Sequence, residues 1–161
     1  HLRVCRDIAG KMSYNKPAVL HVSFMPGIDG EKMSKSRNNT IFLFADDEKS
    51  IIKKVNKALS GGAETLEAHR KHGGNPKKDI ACFYLQKYFL KKQDADDVFQ
   101  SYRKGELTSK DVKKMLAEQL IKMTKQLQNS LNQITAEIVF KCLLKNPELS
   151  MEKFKELIKK N

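Results

Sequence analysis

The sequence predicts a mainly α chain in two parts, a mixed α/β stretch over residues 1–60 followed by an all-helical stretch over 61–161. Three observations carry this. "PAVLHVSF" (17–24) is a nearly continuous apolar run too short for a helix and closed by "MPGIDG", a Pro- and Gly-rich turn. Ser60-Gly61-Gly62 then interrupts the chain, and every apolar pattern beyond it has helical spacing. The longest of these, Val112, Met115, Leu116, Leu120, Met123, Leu127 and Leu131, steps by three and four along one stripe.

Taken in order, "HLRVCRDIAGKM" reads as the end of a helix, with Leu2, Val4, Cys5 and Ile8 on one side. The run 17–24 suits a strand buried on both faces, of the kind found in parallel sheets. "TIFLF" (40–44) is a second short strand or strand-like segment. "DDEKSIIKKVNKAL" is a helix with acidic residues at its N-terminus, where the helix dipole favours them. "AETLEAHRKHGG" is a short helix closed by Gly73 and Gly74. "DIACFYLQKYFL" (79–90) is expected to be one core helix, and "DADDVFQSYRKGEL" another that ends at Gly105. Ser109 to Asn132 is the longest helix, its methionines serving as core filler. "TAEIVFKCLLKN" and "SMEKFKELIKK" close the chain, each with a Thr or Ser cap followed by glutamate.

Composition narrows the function. A 40% hydrophobic content excludes a disordered chain, and no apolar run approaches the ~18 residues of a membrane span. Neither a membrane partner nor a secretory leader is expected. Cys5, Cys82 and Cys142 lack any Cys-x-x-Cys spacing and read as free thiols of a reducing compartment. His69 and His72 have no Cys or third His beside them, so no metal site is expected. The net charge of +12 points to a polyanionic partner, because lysines that neutralise phosphates release condensed counterions. The chain opens on His1, so it is expected to be cut from something longer.

The stretch with the sharpest chemistry is "GEKMSKSRNN" (30–39), which has no apolar period. An unbroken Lys-Met-Ser-Lys-Ser string arises by chance in roughly one chain in ten thousand at average composition. Here it follows a buried strand, a Pro-Gly turn and a glycine, and precedes a short apolar segment. That arrangement resembles the second signature of class I aminoacyl-tRNA synthetases, at the end of their Rossmann-type nucleotide-binding sheet. "FMPGIDGEKMSKS" is shared by the tyrosyl and tryptophanyl enzymes. "KVNKALSGGAETLEAHRKHGGN" (Lys54 to Asn75), "DIACFYLQKYF", "RVCRDIA" and "YNKPAVLH" are similar to the tryptophanyl family, especially its archaeal and eukaryotic members. The resemblance runs from residue 1 to about 145.

The resemblance implies the following. Residues 1–60 are the C-terminal end of the catalytic domain, and 61–161 form a helical domain that receives the anticodon end of the tRNA. Lys35 is the main ligand of the leaving pyrophosphate and Lys32 its helper, while Ser34 and Ser36 add donors and the Met33 backbone approaches adenine. Val22 and Phe24 border the adenine, and Gly27 and Gly30 let the loop close and reopen. Some eukaryotic relatives carry a small residue where this chain keeps Lys35. The substrates implied are ATP with Mg2+, tryptophan and tRNA, and the whole enzyme is a cytoplasmic homodimer. The His-Ile-Gly-His-type first signature and the amino-acid pocket are expected upstream of His1, leaving this chain inactive alone. The alternative reading of the same charge is a non-enzymatic basic helical module that binds RNA.

Overall fold

The computed structural model describes residues 1–142 and 150–159, the side chains of 157 and 158 excepted. Its elements are helices α1 (Leu2–Lys11), α2 (Glu48–Asn56), α3 (Leu66–His72), α4 (Ile80–Tyr84), α5 (Lys92–Arg103), α6 (Ser109–Asn132), α7 (Ala136–Cys142) and α8 (Met151–Lys159). A π-helical turn, Leu85–Phe89, continues α4 and closes with Leu90 N–H on the Leu85 carbonyl at 2.8 Å.

Local chemistry sets the helix starts. Asp47, Thr65 and Asp79 each accept a backbone N–H of the first turn of α2, α3 and α4. Thr108 and Asp111 form a reciprocal capping box on α6. Such caps are worth about 1 kcal/mol each. At the other end of α2, the Lys113 ammonium donates to the Asn56 carbonyl at 2.9 Å, a cation at a helix C-terminus.

α2 and α4 both pack on α6, and the core lies between them. Ile51 and Val55 of α2, Leu85, Tyr102 of α5, and Val112, Leu116 and Leu120 of α6 are among its buried members. Each large apolar side chain removed from water there stabilises the fold by about 1.5–3 kcal/mol. The stripe on α6 follows the sequence pattern and then leaves the core, since Leu131 is exposed. α7 and α8 pack on one another through Phe140 and Phe154, whose ring centroids lie 5.6 Å apart, and through Lys155 Nζ on Glu137 Oε1 at 2.7 Å. Leu143 to Asn146 and Lys160, expected to extend these two helices, lie outside the described residues.

The two expected strands are not formed. Among the described residues there is no strand, only an isolated antiparallel bridge between Pro26 and Lys32. Over 17–24 most apolar side chains face water, with Val19 half-buried: Leu20 is 89% exposed, Val22 84% and Phe24 62%. A strand buried on both faces exists only through pairing with neighbours, and the described residues supply none. What holds this segment is a bond from Arg6 Nη1 to the Pro17 carbonyl at 2.7 Å. The stretch 40–44 becomes a turn for a different reason. Asp46 accepts the Phe42 N–H at 2.7 Å, and the Asp46 N–H returns to the Phe42 carbonyl at 2.8 Å. Lys54 bridges the same carboxylate at 2.6 Å and lies 4.7 Å from the Phe42 ring centre, fastening the turn to α2. The expected single helix over 79–90 is α4 plus the π-helical turn, and Leu90 is already extended.

Candidate functional site

The loop that carries Lys-Met-Ser-Lys-Ser rises from a tight base. Gly27 N–H bonds the Glu31 carbonyl at 2.7 Å and Gly30 N–H bonds the Gly27 carbonyl at 2.9 Å. Gly30 sits at φ +84°, in the left-handed region where a side chain would be strained. Gly27 is needed for a different reason. The Asn39 carboxamide lies directly over its α-carbon, and a Cβ there would run into it.

Asn39 organises the loop. It is 2% exposed, and its Oδ1 accepts the Ser34 N–H at 2.8 Å. Its Nδ2 donates to Asp29 Oδ1 at 2.8 Å and to the Lys32 carbonyl at 3.1 Å, while its own carbonyl accepts the Ile28 N–H at 3.0 Å. The Asn39 amide, with the Glu31 N–H, holds the Asp29 carboxyl below the usual carboxylate range. Beyond Ser34, the Ser34 and Ser36 hydroxyls lie 2.9 Å apart, and Asn38 turns the chain back at φ +52°.

Lys32 and Lys35 are exposed, and neither ammonium has a hydrogen-bonding or ion-pair partner among the described residues. The one acid with an ion pair on the loop, Glu31, is 3.8 Å from Arg37 in an exposed contact worth at most about 1 kcal/mol. Two mobile cations thus stand on a braced backbone, with two hydroxyls and Met33 between them. This arrangement can receive a polyphosphate: Lys supplies point charges, and hydroxyls and N–H groups supply directed donors. Beside the loop, Ile28, Asn38, Ser50, Lys53, Lys54 and Lys57 line an open cleft of about 250 Å³. Lys54 is neutralised there by Asp46, whereas Lys53 and Lys57 add positive charge.

The loop base is tied to the helices. The Tyr84 hydroxyl donates to the Pro26 carbonyl at 2.6 Å. Burial, with Tyr88 nearby, pushes the Tyr84 hydroxyl up to about 12, so it remains a donor at neutral pH. Leu59 N–H bonds the Ile28 carbonyl at 2.8 Å, and Ile80 N–H bonds the Leu59 carbonyl at 3.1 Å. The Ser-Gly-Gly and Gly-Gly-Asn elements that follow are close-packing devices. Asp79, 1% exposed, accepts from Gly61 N–H at 2.9 Å, Cys82 N–H at 3.0 Å and the Tyr102 hydroxyl at 2.9 Å. Gly62 and Gly74 leave room for the His69 and Tyr102 rings, and Gly73 passes over the Arg103 carbonyl at φ +72°. His69 is buried with Nε2 2.8 Å from the Leu107 carbonyl.

Of the residues singled out from sequence, Lys32, Met33, Ser34, Lys35 and Ser36 share one loop, with Gly27 and Gly30 at its base. Val22 and Phe24, before the loop in the chain, are exposed. Asn39, Asp29 and Tyr84 join the site only in the structure, through the bonds they make to the loop and its base. The signal for the first two was an Asp-Gly and an Asn-Asn flanking the string, Asx residues that bond nearby backbone groups.

A family model described as tRNA synthetases class I (W and Y) matches residues 1–125. The chain belongs to this family. It is 40% identical over 149 residues to the cytoplasmic tryptophan–tRNA ligase of Saccharomyces cerevisiae, covering 89% of this chain and 34% of that protein. The tryptophan–tRNA ligase of Methanocaldococcus jannaschii is 37% identical over 147 residues, covering 89% of this chain and 40% of its own length. A ligand-free parasite tRNA synthetase crystal structure superposes with a TM-score of 0.78 at 37% identity, over 96% of this chain and 42% of that one. The chain therefore spans roughly a third to two fifths of the synthetases it matches.

Proposed function

We propose that this chain is the C-terminal part of a tryptophan–tRNA ligase and carries its pyrophosphate-handling loop. In this reaction the tryptophan carboxylate attacks the α-phosphorus of ATP, the bond to the β-phosphate oxygen breaks, and pyrophosphate leaves. The tRNA hydroxyl then attacks the tryptophanyl carbonyl, the mixed anhydride breaks, and AMP leaves as the ester forms and the hydroxyl proton is lost. Negative charge grows on the leaving group, so the protein's task is positioning and charge stabilisation. Lys35 is the main pyrophosphate ligand and Lys32 its helper; Ser34 and Ser36 add donors, and the Met33 backbone meets adenine. Gly27 and Gly30 are the pivots of loop closure.

Val22 and Phe24 border the adenine once the rest of a Rossmann-type sheet pairs with 17–24, which accounts for a bare apolar segment in this chain. Residues 1–60 complete the catalytic domain, and 61–161 receive the anticodon end of the tRNA, with the surplus positive charge serving the RNA. Mg2+ arrives on the ATP phosphates. The whole enzyme is cytoplasmic and homodimeric, and this chain alone is inactive.

The observation that supports this most is the pair of unpartnered lysines on the braced loop, in a chain of this family. ATP–pyrophosphate exchange by the complete protein tests it. Exchange that depends on tryptophan supports the reading; failure to catalyse exchange with any amino acid leaves a basic RNA-binding module in its place.

A further inference from the structure

We infer that Asn39 is the positioning residue of the Lys-Met-Ser-Lys-Ser loop, acting with Asp29 and Gly27 as a clamp that sets where Lys32 and Lys35 leave the backbone. This rests on the reading of the loop as the pyrophosphate ligand. The clamp itself rests on geometry alone. Both hydrogens of Nδ2 and one lone pair of Oδ1 are used: one hydrogen goes to Asp29 Oδ1, while the other and the lone pair grip the peptide groups on either side of Met33, at the Lys32 carbonyl and the Ser34 N–H. No other side chain among the described residues bonds the backbone of residues 32–36. The carboxamide is held in turn by Asp29 Oδ1 on one side and by the bare α-carbon of Gly27 on the other.

The seat is specific to an amide. Alanine would free the Lys32 carbonyl and the Ser34 N–H together. Aspartate keeps the acceptor for Ser34 but loses both donors and sets a second carboxylate against Asp29. A lysine ammonium sits at the end of four methylenes, so its reach tolerates small errors, but its root must face the phosphates. Displacement of a catalytic group by about 1 Å can cost on the order of 10² in rate.

The test uses the complete protein. Asn39→Ala and Asn39→Asp should lower kcat for tryptophan-dependent ATP–pyrophosphate exchange by about 10²-fold, with KM for tryptophan unchanged. Transfer from preformed tryptophanyl-adenylate to tRNA, a step with no pyrophosphate leaving, should stay at the wild-type rate. The swap Asp29→Asn with Asn39→Asp lets the new amide at position 29 donate to the new carboxylate at 39, so it should recover part of the loss of Asn39→Asp. An unchanged exchange rate, or an equal loss in both steps, overturns the inference, as does a swap no better than Asn39→Asp alone. If the wild-type protein shows no tryptophan-dependent exchange, the functional reading fails separately. The clamp is then judged in this chain by amide hydrogen exchange at Ser34: faster in Asn39→Ala upholds it, unchanged overturns it.

Discussion

Asp79→Ala should be among the most destabilising single changes in the helical part, and its cost can be assembled bond by bond. Oδ1 caps α4 at Cys82 N–H, and losing such a cap costs about 1 kcal/mol. Oδ2 takes the Gly61 N–H, which the wild-type packing shields, and leaving it without an acceptor costs about 1–3 kcal/mol. Tyr102 retains Ser109 Oγ at 2.8 Å and adds little. The total, about 2–4 kcal/mol, compares with a whole-domain stability of about 5–15 kcal/mol. Tyr102→Phe is the internal control. It removes one donor and leaves Asp79 its two backbone partners, so about 0.5–1.5 kcal/mol should be lost. Urea unfolding of the chain followed by far-UV circular dichroism gives both values from the midpoints, with m unchanged. An Asp79→Ala loss under about 1 kcal/mol, or one no larger than that of Tyr102→Phe, would refute the view that this carboxylate joins the Gly61 turn to α4 and α5.

Two further outcomes follow from side-chain environments. Cys5 and Cys142 are exposed, whereas Cys82 is buried and burial beside Asp79 pushes its thiol well above the usual range, so a disulfide reagent should modify two thiols fast and the third only on unfolding; three fast thiols would contradict the packing of α4. The Lys155 ammonium holds the Glu137 carboxyl down at about 2, so the α7–α8 pairing gains stability above the ordinary glutamate range and loses it as pH falls from 4.5 toward 2; NMR titration of Glu137 near its ordinary value would show that the ion pair is not formed.

Helix α6 was legible because its signal is local: the stripe from Val112 to Leu131 recurs at steps of three and four, whereas the Thr108–Asp111 capping box emerges only in the structure. The Lys-Met-Ser-Lys-Ser loop was legible as a string, without any structure. The clamp beneath it was not, because Asn39 reaches five, seven and ten residues back along the chain, a set of spacings with no period. Residues 17–24 were misread as a formed strand for a physical reason. An apolar run states what a segment needs, burial on both faces, and the partners that would meet that need are not among the described residues. The Ser-Gly-Gly and Gly-Gly-Asn elements read as helix punctuation, yet Gly61, Gly62 and Gly74 are set by long-range contacts with Asn75, Ser109 and Tyr102.

In the proposed reaction Lys35 meets the departing pyrophosphate. Steady-state ATP–pyrophosphate exchange with Lys35→Ala in the complete protein tests it most directly. The ammonium is exposed and has no partner among the described residues, so its removal leaves no buried orphan and should not unfold the chain. In this variant kcat should fall by about 10²–10³, the usual loss for one preorganised charge contact made in the transition state, with KM for tryptophan unaltered. Normal exchange kinetics in Lys35→Ala would contradict it.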